Sequence, residues 1–229
     1  MKAAFGSRSL QIYLGLIAVL IMVRVLFIIV PVTYIIPAQA GAFTWPALIL
    51  IAVLGLLGLW AASRTNFPEL WDPKVTNRQR FLVPAGLGIV AGLVFLVLGR
   101  LQPLGEINVP FPLSIPYYLY GGIVSEILYR LFIIPVPVWF ISGVLLKQRG
   151  QEVTFWSVVV VVSLLEPLGQ LGAMYQLGLL QNGVSPVLGI LIVLVYVFNL
   201  VAAYLFRKYG FVAPVVLRLA HYLVWHLVG

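Results

Sequence analysis

The chain has no cysteine. That excludes disulfides, thiol catalysis and any metal site built on thiolates. Charge is the next scarcity. Only 9% of the 229 residues are charged and 62% are hydrophobic, where a soluble domain has about 25% charged and about 45–50% apolar residues. So much apolar surface has no interior to fill, and the excess must face lipid. Internal repeats, low-complexity tracts and a separate polar domain are missing too. Without an inverted repeat or paired broken helices, the pattern expected of a secondary transporter is not seen.

What charge there is has one dominant sign. Lysine and arginine number 14 against 6 acidic residues, a formal charge of +8. In a soluble protein this would suggest a nucleic-acid partner. Here the basic residues sit in short segments between apolar runs, where they orient the chain and meet anionic lipid. The expected partners are the lipid bilayer and other membrane subunits, with no nucleic acid.

A helix needs about 20 mostly apolar residues to cross a bilayer. Seven stretches qualify, at about 10–31, 45–62, 81–101, 117–146, 153–171, 187–206 and 211–228. The expected fold is therefore all-α, a polytopic transmembrane helical bundle forming one membrane domain. Residues 1–116 supply the first three helices and their loops, and residues 117–229 the last four. The first run, about Leu10 to Val30, has full span length and lacks a small-residue cleavage site, so it reads as a helix rather than a removable leader. The fourth is long enough to tilt or to break near Pro135 and Pro137. Of the connections, 63–80 is polar, with Phe67 and Trp71 suited to an interface, and 102–116 is proline-rich and expected to be extended.

Basic residues set the orientation. Lys2, Arg8, Arg64, Lys74, Arg78, Arg80, Lys147, Arg149, Arg207 and Lys208 fall on one side, and Arg100 alone on the other. By the positive-inside rule the N-terminus is inside and the C-terminus outside.

Five ionisable residues lie within the spans: Arg24, Glu126, Arg130, Glu166 and Arg218. A charge at the centre of a membrane helix costs about 2.5–3.5 kcal/mol, so it is normally paired and turned inward. Glu126 and Arg130 are i and i+4 and share a helix face. At 1.5 Å rise per residue, Glu166 and Arg218 come to similar depths. The four form a neutral set, expected to be one intramembrane ion cluster. It reads two ways, as an electrostatic pin for the bundle or as the lining of a polar cavity. Arg24 has no obvious partner; a backbone carbonyl, a lipid headgroup or another subunit could serve. His221 and His226 both lie on the last span, five residues apart and so on different faces. They do not make the i, i+4 pair of a helical zinc site. Each is a possible single ligand to a pigment or metal, or a hydrogen-bonded interior residue. No bound metal or other cofactor is expected.

Two stretches carry a family resemblance. Ser125-Glu-Ile-Leu-Tyr-Arg130 sits in an apolar helix followed by a basic loop, and Tyr204-Leu-Phe-Arg-Lys-Tyr-Gly-Phe-Val-Ala-Pro214 opens the last helix. This order resembles the CPBP membrane proteins, which include CAAX prenyl proteases of type 2, bacteriocin-processing and Abi self-immunity proteins. The resemblance covers about 117–229. It implies a bundle with a carboxylate and two histidines that activate water for peptide hydrolysis in a prokaryotic plasma membrane, bacterial or archaeal. The family's first motif is Glu-Glu-x-x-x-Arg, its second Phe-x-x-x-His, and its last a His four residues before Asn or Asp. Here Ser125 replaces the first Glu, Gln170 the second motif's His, Arg218 the last motif's His and Tyr222 the Asn or Asp. Glu126 and Arg130 are retained.

Arginine stays protonated and cannot act as a base, and glutamine cannot shuttle a proton. The expectation is a CPBP-like bundle without peptidase activity, serving as an accessory or scaffolding subunit. The alternatives are an active peptidase using Glu126 with Glu166 or His221, a transporter or channel, and a pigment-binding subunit.

Overall fold

A computed structural model describes residues 7–30, 41–101, 109–176, 178, 180 and 183–228. Lys2 and the stretches 31–40 and 102–108 of two connections lie outside these. The described residues form helices and short turns, with no strand. Among the described residues there are seven helical rods: α1, Ser7–Ile29; α2, Trp45–Ser63; α3, Arg78–Leu101; α4, Ser114–Leu145; α5, Gln151–Gln176; α6, Pro186–Tyr209; and α7, Val212–Tyr222, which continues as a wider π-helical stretch over Leu223–Val228. Six of them are long and apolar enough to cross a membrane. The rods match the expected spans to within a few residues. Large apolar side chains such as Met22, Ile29, Leu82, Val90 and Val161 stand exposed on the outer surface, which suits a lipid surround and not water. The protein is a polytopic helical membrane bundle.

Proline accounts for the deformation of two rods. Pro135 and Pro137 have no N–H to return to the carbonyls of Leu131 and Ile133, and their rings clash with those carbonyls. The rod α4 accordingly widens to π-helix over Ile127–Ile133, recovers over Pro135–Val138 and widens again over Trp139–Leu145. The expected break near these prolines is thus a widening. The same chemistry acts at Pro167, which cannot serve the Ser163 carbonyl. There α5 breaks into Gln151–Val162 and Leu165–Gln176.

Small residues decide which rods touch closely. A Cβ on Gly58 of α2 would overlap the Leu131 carbonyl of α4, the one that Pro135 leaves without its usual donor. Gly88 and Gly92 of α3, four residues apart, lie against the Leu217 and His221 carbonyls of α7. This is the small-xxx-small contact that lets membrane helices approach to backbone distance. It seats α7 deep in the bundle, with α3, α4 and α6 packed against it. The α6–α7 turn is made by Gly210, whose φ of +83° favours glycine.

The two ends of the bundle differ. At one end Arg80 is buried. Its guanidinium lies 3.8 Å from the Trp71 ring centre and donates to the Asp72 and Val75 carbonyls at 2.6 and 2.9 Å. Arg207 donates to the Asn66 carbonyl at 2.6 Å and pairs with Glu152 at 3.1 Å, and Arg8 lies over Trp71. The start of α1, the 63–80 segment, the start of α5 and the end of α6 therefore share this basic end. At the other end the Tyr120 hydroxyl donates to the Ala42 carbonyl at 2.8 Å, Phe43 stacks on Tyr117, and Tyr118 stacks on His226 with centroids 3.9 Å apart. The first helix begins and the last helix ends at opposite ends of the bundle.

Candidate functional site: a buried ion cluster

Four helices bring six polar side chains to the middle of the bundle. Rod α4 supplies Glu126, the last residue before its first π-helical stretch, and Arg130 inside that stretch. The second half of α5 supplies Glu166 in its first turn, where a carboxylate is favoured by the helix dipole. Rod α6 supplies Asn199, and α7 supplies Arg218 and Tyr222. Glu126 is 0% exposed, and Arg130 and Arg218 are 1% each. The Glu166 side chain keeps 16% exposure.

Arg218 is the hub. Its Nη1 and Nη2 donate to the two oxygens of Glu166 at 2.8 and 2.9 Å, a bidentate pair. Its Nε donates to Glu126 Oε1 at 2.5 Å. Nη1 also reaches the Tyr222 hydroxyl at 3.3 Å, and Nη2 the Asn199 Oδ1 at 3.4 Å. One guanidinium thus engages both intramembrane carboxylates, a tyrosine and an amide. Its planar fork is suited to such a set, where a lysine ammonium is not.

Arg130 is held differently. Its Nη2 donates to both Asn199 Oδ1 and the Asn199 carbonyl, the latter at 3.2 Å. Its Nε lies 3.4 Å from Glu126 Oε2. That is ion-pair distance without a hydrogen bond, and Glu126 Oε2 and Arg130 Nε and Nη1 have no hydrogen-bond partner among the described residues. The i, i+4 pair that sequence spacing suggests is therefore present as a charge contact. Its geometry is loosened because Arg130 sits in π-helix, where four residues no longer complete the turn that lines up side chains.

Asn199 is the member that a search for ionisable residues misses. Its Oδ1 accepts from both guanidiniums and its Nδ2 donates to the Val195 carbonyl at 2.9 Å. The available signal was its isolation, a lone carboxamide in the apolar run of α6. In lipid such a residue seeks a partner on another helix.

The other residues singled out from the sequence lie around this cluster or away from it. Ser125 is half-buried on α4 and makes no hydrogen bond to the cluster. Gln170 is one turn beyond Glu166, but it lines an apolar cleft with Leu171, Met174, Leu191, Val195 and Trp225, and does not join the ion pairs. His221 is buried on the α3 and α6 side of α7, with its ring near Phe95 and Phe198 at 4.8 and 4.9 Å and its Nδ1 unpartnered. His226 faces α4 and stacks on Tyr118. The two histidines thus occupy different faces. Among the described residues no three His, Cys, Asp or Glu are grouped to hold a metal. Arg24 lies over the Trp45 ring at 5.5 Å, a cation–π contact near the end opposite the basic one.

No family model, no curated protein and no solved structure matches the chain.

Proposed function

We propose that this chain is a non-catalytic integral membrane protein, akin to the CPBP proteins, that serves as an accessory or scaffolding subunit of a larger membrane assembly. The observation that carries this reading is the position of Arg218 between Glu126 and Glu166. A general base must be free to take a proton from its substrate or a water. Both carboxylates here are engaged by a permanently charged guanidinium, and the hydrogen bonds that Arg218 makes among the described residues go to Glu126, Glu166, Tyr222 and Asn199. Ser125 and Gln170, at positions where the resemblance implies catalytic groups, have no hydrogen bond to it. What remains is a neutral electrostatic pin joining α4, α5, α6 and α7. The outer surface is apolar, and partner helices in a membrane bind such surfaces through packing. The basic end is taken to face the cytoplasm, because by sequence the connections on that side of the spans carry the excess of lysine and arginine.

Purification in mild detergent tests the proposal. A membrane protein that co-purifies in fixed stoichiometry is the expected result. A monodisperse lone chain that cleaves prenylated or membrane-embedded peptides, with cleavage lost in Glu126→Gln, overturns it.

A further inference from the structure

The second half of α5, Leu165–Gln176, is set apart from the rest of the bundle. Of its twelve residues only Pro167 is buried. None of its side chains belongs to a hydrophobic core cluster, and α6 is the rod it packs against. Gly169 and Gly172 have open space where a Cβ would stand. It is joined to the well-packed first half through the break at Ser163–Leu164. There the Leu164 N–H turns back to the Val161 carbonyl, and Pro167 removes the bond that would bridge the gap. Between this half-helix and the bundle runs a narrow apolar cleft, with Gln170, Leu171 and Met174 on one wall and Leu191, Val195, Phe95 and Trp225 on the other. Its strongest tie to the bundle is the bidentate Glu166–Arg218 pair.

Taken together these features make a hinge, a panel and a latch. We infer that the half-helix Leu165–Gln176 is a gate over the buried ion cluster, pivoting at Ser163–Leu164 and latched shut by Glu166 on Arg218. When the gate is closed, Glu126, Arg130 and Arg218 are sealed off. When Glu166 lets go, the half-helix swings off α6, the cleft widens, and Arg218 and Asn199 face the opening. Arg218 keeps Glu126 through its Nε, so the cluster behind the gate stays paired. Opening costs one buried ion pair and little packing, which places this segment at the low-stability end of the fold. The inference goes beyond the proposed subunit role and does not depend on it, since a gate of this kind could serve a bound partner or a diffusing ligand equally.

The chain has no cysteine, so a single introduced thiol reports on one site. Leu191, on the far wall of the cleft, is 5% exposed with the gate shut. Leu191→Cys in the full chain in lipid nanodiscs should react slowly with a small maleimide. Adding Glu166→Gln should raise the rate about tenfold or more, as the loss of ~1.4 kcal/mol from the closed state would do. Leu20→Cys, in the core at 0% exposure, should remain unreactive in both backgrounds. No increase at Leu191 overturns the gate, and so does an equal rise at both positions, which would mean general loosening. Pro167→Ala leaves the latch intact and restores the missing backbone donor. It should slow labelling at Leu191, and an unchanged rate there overturns the hinge even if Glu166→Gln does not fold.

Discussion

Arg218 holds both oxygens of Glu166, at 2.8 and 2.9 Å, from α7, which packs against α3, α4 and α6. Removing one partner of a buried ion pair leaves the other charged and uncompensated, at a cost of about 3–5 kcal/mol. Arg218→Leu strands two carboxylates, Glu126 and Glu166, with Arg130 alone nearby. It is expected to destabilise the bundle by about that amount, read as unfolding in detergent titrated with denaturing surfactant. Arg218→Leu combined with Glu166→Leu removes a matched pair and should recover part of the loss. A double variant no better than the single would mean that the pair is not coupled, and the electrostatic pin would fall with it.

The sequence made some of this legible and hid the rest. Hydropathy alone located all seven rods, because lipid leaves a spanning segment few other solutions. The ion cluster was foreshadowed by the cost of membrane charge, which forces Glu126, Glu166, Arg130 and Arg218 to seek one another at similar depth. Spacing pointed to the Glu126–Arg130 contact, but the hydrogen bonds that Arg130 makes were not legible. Arg130 turns to Asn199 because π-helix rotates it away from an aligned pair with Glu126, and hydropathy carries no signal for that rotation. Gln170 was expected at a motif position yet lines an apolar cleft. It lies beyond the proline-induced break in α5.

Helix contact at Gly58 gives a steric prediction. A Cβ there would overlap the Leu131 carbonyl, whereas Gly15 and Gly189 have nothing within 4 Å. Gly58→Ala is expected to cost about 1–3 kcal/mol as an overpacking change, since the neighbour is backbone and cannot rotate away. Gly15→Ala and Gly189→Ala sit in open helix and should stabilise by roughly 0.5–1 kcal/mol through reduced chain entropy. Thermal unfolding of the three variants decides it. Equal melting of Gly58→Ala and Gly15→Ala would show that α2 and α4 are farther apart than described.

Topology has its own test. Gly41 precedes α2 at one end of the bundle, and Asn77 precedes α3 in the polar segment that Arg80 and Arg207 tie to the basic end. Cysteines placed at 41 and at 77 are expected to label from opposite sides of sealed vesicles, with position 77 on the cytoplasmic side. Labelling of both from one side would refute the seven-pass arrangement. Labelling of 77 from outside would reverse the orientation drawn from the basic residues.

Asn199 supplies the most discriminating variant, because it adds no charge to the cluster and yet touches both cations. Its Oδ1 accepts from Arg130 Nη2 and Arg218 Nη2. Arg218 has Glu166 and Glu126 besides, but for Arg130 the Asn199 amide and backbone carbonyl are the hydrogen-bond acceptors in place. Asn199→Leu keeps the volume and the backbone carbonyl and deletes the amide. A buried polar group left unsatisfied costs about 1–3 kcal/mol, more when it is charged, so Asn199→Leu should lower stability by at least that much. If Asn199 acts only through Arg130, the penalty should shrink sharply in an Arg130→Met background, where no guanidinium remains to be orphaned. A double-mutant cycle on unfolding free energies measures the difference. Additive losses would mean that the amide acts mainly through Arg218, or through its bond to the Val195 carbonyl, and that Arg130 is held by its charge contact with Glu126 alone.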